Sequence, residues 1–427
     1  MSKSFIVFLI SLGFLVSLIA GAIGFSIAYT NAPPTSQVTR ALQAGRMLLA
    51  TGVAAPENLL LERRPDAPND PFHMHEDDAP RGWRAFMIYD LERDMYEVDL
   101  YDADGTKTWT WSVGDPELNE IGGALGGRIH PHGLIIEPDG SIIINGLAKE
   151  KILASYDRCG KANWARQEYF HHLMSRAEDG TVWSWLGRDA AYGQDEVMVR
   201  FDPKTGKTLQ EIDITGDMLH KRPENLEILG LPSYFQRGEG TASEKRSTDL
   251  FHTNDIEALS TEMAPAFPMF EPGDLLMSLR NLQAVLVMDP ETYEIKWIRQ
   301  GPWIHQHDPE FRSDGLISVF NNNFAGRYEL RSSVVAVDPA TDKVVNMFEA
   351  AEFYSARMGQ QQEVTPDVLH VSSPGEGRAF EVDTRTDRIL FEFNNRVLEG
   401  HNGHLANSVW LPEDFFDEDP KTYSCAN

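Results

Sequence analysis

The segment Trp303-Ile304-His305-Gln306-His307-Asp308-Pro309-Glu310-Phe311 sets two histidines and a carboxylate within four residues, His305 to Asp308. Neutral imidazole attacks sulfuryl and phosphoryl groups, and a second imidazole can protonate the leaving oxygen, a contribution of roughly 10²–10⁴-fold. His307 is not alone in its setting. It stands seven residues before Asp314 of the turn Ser313-Asp314-Gly315, and the same count leads from Asp139 to His132, from Asp179 to His172 and from Asp367 to Gln360. In a longer repeat the matching position is His252, and in the last one it is His404. Five of the chain's 13 histidines thus share one slot, at the start of a strand. Arg280, at the end of the apolar run Leu275 to Leu279, adds a planar fork that recognises tetrahedral oxyanions at two points. Histidines with one arginine suit the movement of an anionic sulfuryl group.

Two other readings compete with this one. Such residues could plug a channel and hydrogen-bond to neighbouring strands, and Arg280 could serve a surface salt bridge. The close pairs His130/His132, His171/His172, His305/His307 and His401/His404 also invite a metal. None has the spacing of a zinc motif, so no metal and no other cofactor is expected.

The slot implies elements that repeat. Six turns open with an Asp after an apolar strand: Tyr101 to Gly105, Tyr156 to Gly160, Phe201 to Gly206, Met288 to Thr292, Val337 to Thr341 and Val382 to Thr386. Aspartate accepts backbone hydrogen bonds in such turns, and proline presets φ. A second kind of turn lies between them, at Asp139-Gly140, Asp179-Gly180, Gly273-Asp274, Asp314-Gly315, Asp367 and, more weakly, Leu411 to Asp414. Strand, turn, two strands, Asp-turn, strand, recurring about every 45–55 residues, describes a propeller blade. The repeat containing His252 is lengthened by 260–270 and by an insertion at 215–249. The first Asp-turn has no inner strand before it and the last strand, His404 to Leu411, has no Asp-turn after it. These pieces complete one another, so the expected fold is all-β: a six-bladed β-propeller closed by N- and C-terminal strands. A β-sandwich pair would not explain the matched halves.

The expected divisions are 1–30 as an anchor, 31–82 as a linker with a helix and an irregular strap, 83–415 as the propeller and 416–427 as a tail. Phe5 to Tyr29 is 25 residues without a charge. As a helix it would span roughly 37 Å, enough for a bilayer core, and Lys3 before it favours export of the rest. Ala20-Gly21-Ala22 fits a cleavage site, but the apolar run continues past it, which favours an uncleaved transmembrane helix. Thr35 to about Ala55 reads as a helix capped by Ser36, and Arg63 to Arg81 as the strap. With 65 acidic and 38 basic residues the net charge is −27, which argues against nucleic acid. The two cysteines, Cys159 and Cys425, either pair and pin the tail or remain thiols.

The chain resembles the arylsulfate sulfotransferases, a family of exported bacterial propellers. The likeness rests on Phe251-His252-Thr253-Asn254-Asp255, Met277-Ser278-Leu279-Arg280-Asn281, His305-Gln306-His307-Asp308 and the strand-start histidines. It covers roughly 83–411. The resemblance implies sulfuryl transfer from a phenolic sulfate ester to a phenol through a transiently sulfated histidine, without a nucleotide sulfate donor. It assigns His307 as nucleophile, His252 and Arg280 to the sulfuryl oxygens, and His172, ahead of His132, as a third catalytic histidine. His132, His404, Gln360 and Asn254 become candidates for binding substrate, and Trp303, Phe324 and Tyr328 for stacking on aryl rings. His305 is expected to support the site from a loop, and Asp308 to point away from the channel without a catalytic role. The implied location is the periplasmic side of the inner membrane, anchored or released there. The departures from the family are a missing N-terminal β domain and a stretched His252–Arg280 spacing. The rival function is a non-catalytic anchored propeller that binds or assembles a membrane complex, as a partnered chain or homo-oligomer.

Overall fold

The computed structural model describes residues 59–76, 78–93, 95–113, 130–147, 152–188, 196–231, 249–324 and 330–425. The chain divides into two compact units, 1–60 and 61–427, and all described residues but Leu59 and Leu60 belong to the second. No helix among the described residues is long and apolar enough to cross a membrane. The Phe5 to Tyr29 run, the helix expected at 35–55 and Tyr328 lie outside the described residues.

The fold is all-β. Among the described residues, the Asp-turn repeat produces six antiparallel sheets built on four strands each. The first sheet joins Leu405–Leu411 to Trp83–Asp90, Met95–Tyr101 and Lys107–Val113, so strands from both ends of the repeat region share it, as the unmatched halves of the sequence require. The second holds His130–Ile136, Ile142–Leu147, Ile152–Tyr156 and Ala162–Arg166, and the third Tyr169–Arg176, Val182–Gly187, Glu196–Phe201 and Thr208–Asp213. The fourth holds Thr253–Ala258, Leu275–Leu279, Ala284–Met288 and Ile295–Gln300. The fifth is His307–Phe311, Ile317–Asn321, Ser333–Val337 and Val344–Glu349, and the sixth Gln360–Thr365, Val368–Ser373, Arg378–Asp383 and Arg388–Asn394.

The Asp-turns form for the expected reason. Asp102 accepts from the backbone N–H groups of Asp104 and Thr106, Asp157 from Cys159 and Lys161, and Asp289 from Glu291 and Thr292. Asp202, Asp338 and Asp383 do the same in their turns. In each sheet the first strand packs against the first strand of the next, in order from one to six and back to one. Between neighbours lie apolar layers, such as Trp185, Met198, Met277 and Leu286 between the third and fourth sheets, and Phe320, Val334, Val371 and Phe380 between the fifth and sixth. Each such buried side chain contributes roughly 1.5–3 kcal/mol.

One expectation changes, and two points that the sequence left open are filled. The strap is not wholly irregular: Phe72–Met74 pairs with Phe391–Phe393 as a fifth strand of the sixth sheet. It covers an edge that would otherwise leave backbone groups unpaired, and Phe72 packs on Phe391 and Tyr101. The insertion contains a π-helical segment, Ile214–His220, and a short helix, Glu224–Ile228. The two cysteines pair, Cys159 to Cys425, and tie the tail to the Asp-turn of the second sheet.

Candidate active site

The innermost strands carry the site because each is interrupted near its start. Ladder register shifts between Pro131 and Leu134, His171 and Met174, Thr253 and Asp255, and His307 and Glu310. Such bulges re-aim side chains that would otherwise alternate between faces. Left-handed backbone accompanies them at His172 (φ 60°), His252 (47°), His305 (54°) and Asp308 (52°). Non-glycine residues adopt that conformation only where the surroundings enforce it, and such residues gather at functional sites.

His307 is buried, with 5% of its surface exposed. Its Nδ1 lies 2.7 Å from Asn322 Oδ1 and 3.2 Å from the His305 carbonyl. The Asn322 amide nitrogen donates to the carbonyls of Ser355 (2.8 Å) and Met358 (2.5 Å), which fixes the side chain with its oxygen toward the ring. Both neighbours of Nδ1 only accept, so Nδ1 carries the proton and the lone pair sits on Nε2. Burial, and then the Arg280 charge, push the pKa from 6.5 down to about 3 against the opposing Asn322 bond. The ring is therefore a neutral nucleophile with a defined attacking nitrogen.

Arg280 opens a short 3-10 turn, Arg280–Leu282, directly after the strand Leu275–Leu279. Its backbone N–H donates to the His252 carbonyl at 3.2 Å, which locks the two residues together. Its guanidinium Nη2 meets His305 Nδ1 at 3.3 Å, and the His305 ring stacks on Phe324 at 5.2 Å. Burial and then Arg280 lower the His305 pKa, so this ring stays neutral beside the guanidinium. His252 Nδ1 lies 2.6 Å from Asp249 Oδ2. Burial works to raise the Asp249 carboxyl, but the His252 hydrogen bond and the His252 and Arg280 charges outweigh it and keep it ionised.

His172 is the hub. Its ring centroid lies 5.2 Å from those of His132 and His252 and 6.1 Å from that of His307. Its backbone N–H donates to His132 Nδ1 at 3.4 Å. Behind it, His171 Nδ1 approaches His172 Nδ1 at 2.8 Å, and His171 Nε2 meets Glu196 Oε2 at 2.9 Å. His171 and Glu196 are fully buried, and Thr253 Oγ1 also donates to that carboxylate at 3.3 Å. Burial, and then the rings of His171, His132, His252 and His307, hold the His172 pKa far below the ordinary imidazole value.

The expected residues differ in their contacts. His132, His172, His252, His307 and Arg280 come together from the second to fifth sheets. Gln360 and His404 stand at the corresponding starts in the sixth and first sheets, where Ser372 Oγ (3.4 Å) and Tyr96 hydroxyl (3.0 Å) contact them. Asn254 is fully buried and donates to the Gln306 carbonyl at 2.7 Å. The bulge turns it into the seam between fourth and fifth sheets, not toward a substrate. Trp303 is likewise buried, its indole N–H bonded to the Gln283 carbonyl at 2.9 Å. Asp308 is buried, and its carboxylate accepts from the Gln361 backbone N–H in the next sheet.

Below the histidines, the same two strands carry Asp255, Glu257, Asp308 and Glu310. Burial, reinforced by mutual repulsion, raises Asp255 and Glu310 well above the carboxylate range. Burial raises Glu257 and Asp308 to about 8. Among the described residues no group of three or more His, Cys, Asp and Glu is arranged to hold a metal ion.

Asn322, Asp249 and Glu196 were missed in the sequence, and His171 was read only as half of a close pair, because each acts on a ring from outside the strand-start slot. One signal existed: Asn322 follows the second strand of its sheet, across from His307, and Asn145 on the second strand of the second sheet likewise holds backbone of the slot, donating to the His172 carbonyl at 2.9 Å.

No curated protein matches the sequence. The chain is similar to a solved protein of unknown function from Bacteroides caccae (11% identity, 78% of this chain, 100% of that one, TM-score 0.49). It is also similar to TolB from Acinetobacter baumannii (12%, 90% and 74%, TM-score 0.46) and to the Dos1 propeller (11%, 78% and 74%, TM-score 0.39). A family model described as arylsulfotransferase (ASST) matches residues 132–396, well over half of the chain, and the chain belongs to that family.

Proposed function

We propose that this protein is an exported aryl-sulfate sulfotransferase that works through a sulfohistidine at His307, without a nucleotide sulfate donor. The observation that carries the reading is the neutral His307 ring with its proton fixed on Nδ1 by Asn322 and its lone pair on Nε2. The six sheets, packed in closed order, act as six propeller blades whose strand starts meet at one channel mouth. Nε2 attacks the sulfur of a phenolic sulfate ester. The S–N bond forms as the ester S–O bond breaks, and the phenol oxygen departs with the electron pair. Arg280 and His252 hold the sulfuryl oxygens. An acceptor phenol then attacks the same sulfur, and His307 is restored.

Two features support export. The Cys159–Cys425 disulfide suits an oxidising compartment, and the 25-residue uncharged run Phe5 to Tyr29 suits a single-pass anchor at the inner membrane. The test is incubation with a nitrophenyl sulfate and a phenol, followed by intact mass. The expected result is a wild-type adduct of one sulfuryl group that His307→Asn abolishes. Absence of any adduct or turnover in the wild type, with stoichiometric co-purification in a membrane complex, would favour the assembly role.

A further inference from the structure

The sulfotransferase reading needs a base that takes a proton from the acceptor phenol and an acid that returns one to the donor's leaving oxygen. Neither His307, which spends its lone pair on sulfur, nor Arg280, which cannot deprotonate, can do both. The buried chain Glu196–His171–His172 can. Its terminal carboxylate accepts from His171 Nε2 (2.9 Å). That assigns the His171 proton to Nε2 and leaves Nδ1 as an acceptor. The 2.8 Å approach of the two Nδ1 atoms then requires the proton of His172 to sit on its Nδ1. The His172 lone pair is thereby placed on Nε2, in a ring 5.2 Å from His252 and 6.1 Å from His307 by centroid.

We infer that Glu196, His171 and His172 form a two-step proton relay serving sulfuryl transfer at His307. As the acceptor phenol attacks the sulfohistidine, its O–H bond breaks and an N–H bond forms at His172 Nε2. The proton on His172 Nδ1 crosses to His171 Nδ1. The positive charge rests on His171, beside the Glu196 carboxylate, and His172 remains neutral with its proton on Nε2. When the next donor ester reacts, His172 Nε2 gives that proton to the departing phenol oxygen and His171 Nδ1 returns its own. Protons balance over the cycle: the acceptor's proton leaves on the next donor's phenol. The relay also answers the crowding of the site. A charge left on His172 would face His132, His252 and His307, whereas a charge on His171 has a carboxylate within hydrogen-bond distance.

The inference rests on the sulfohistidine reading, and its test separates the two. Protein labelled with ¹⁵N-histidine, with the His172 signals assigned by loss in His172→Gln, reports the tautomer without any substrate. The expected result is Nδ1–H on His172 wherever His171 carries one proton, and Nε2–H on His172 only where His171 carries both. Nε2–H on His172 beside a singly protonated His171 overturns the relay, whatever the activity. Where the wild type forms the adduct, His171→Asn and Glu196→Gln are followed in both half-reactions. Transfer to a phenol is expected to fall about 10²-fold or more, nitrophenol release less than tenfold, and the pH dependence of transfer to shift, with Glu196→Asp recovering part of the loss. Equal losses in both half-reactions with an unmoved pH profile would make the pair packing only. A wild type with the expected tautomer and no adduct would sink the sulfohistidine reading and leave the proton geometry standing.

Discussion

Two short strands, Thr253–Ala258 and His307–Phe311, carry opposite chemistry within a few residues. At their starts sit His252, His307 and, from the neighbouring sheet, His172. One turn of the bulge further on sit Asp255, Glu257, Asp308 and Glu310. His172, His307, Asp255 and Asp308 are buried, and burial disfavours whichever form is charged. It therefore drives the pKa values of His172 and His307 down and those of the carboxyls up, which favours the neutral form of each. What separates them is their fastening. Each histidine is held through Nδ1 by a directional partner, Asn322, Asp249 or His171, and so presents a chosen nitrogen. The carboxyls grip backbone instead: Glu257 accepts from the Phe311 N–H at 2.8 Å, and Asp308 from that of Gln361. The first arrangement selects a tautomer for chemistry. The second stitches adjacent sheets. Low dielectric alone makes groups neutral; a defined hydrogen bond decides what a neutral group can do.

The largest break in this comparison should come from removing the fastening and leaving the ring. Asn322→Leu keeps His307 buried but deletes the acceptor that selects Nδ1–H. Sulfohistidine formation, followed by mass under single turnover, is expected to fall about 10²-fold. A loss under threefold would show that the tautomer is set elsewhere. Next comes pH. An imidazole with the ordinary value of 6.5 would lose about 30-fold in nucleophilic fraction at pH 5, while His307, lowered to about 3, should lose almost none. Nitrophenol burst rates that are flat from pH 8 to 5 sharpen the comparison, and a limb near 6.5 breaks it. Smaller still is Arg280→Lys, which keeps the charge but not the fork that reaches His305. Its kcat/KM is expected to fall roughly tenfold.

Much of this was legible in the residues. The Asp-turns announced the antiparallel sheets because an Asp with backbone donors two to four residues on is a local event that needs no tertiary context. The counting from turn to strand start found His132, His172, His252 and His307 because sheet geometry makes equal positions converge. The same count led to Gln360 and His404, whose side chains meet Ser372 and the Tyr96 hydroxyl, since a shared slot does not fix a residue's partner. Asn254 was misplaced for a related reason: regular alternation says where a side chain points, and a bulge cancels it. The partners of the rings were hidden because Glu196 and Asn322 are distant in sequence from the histidines they hold or relay to. The strand Phe72–Met74 was hidden because its Pro- and Asp-rich surroundings lack alternation, and the pairing edge supplies the order.

The smallest effect tests the carboxylate side. A carboxyl whose folded pKa is raised binds its proton more tightly in the native state than in the unfolded chain. Stability from that group is fully present below the unfolded value near 4 and is lost as pH rises through the folded one, about 8 for Glu257 and Asp308. The lowered histidines act oppositely, but only below about 6.5, where an unfolded imidazole begins to take up protons. Above pH 6.5 the carboxyls act against no such opposing slope, and chemical denaturation should show stability falling between pH 7 and 9. Each raised carboxyl accounts for up to about 1.4 kcal/mol per pH unit while it remains protonated in the native state alone. Asp308→Asn mimics the protonated form but keeps an oxygen for the Gln361 N–H. It should leave stability at pH 6 near that of the wild type and flatten the decline, so that the variant gains about 2 kcal/mol over the wild type by pH 8. Parallel wild-type and variant curves would mean that Asp308 is ionised in the folded protein, and the contrast between the two ends of the strand would then lie in charge as well as in fastening.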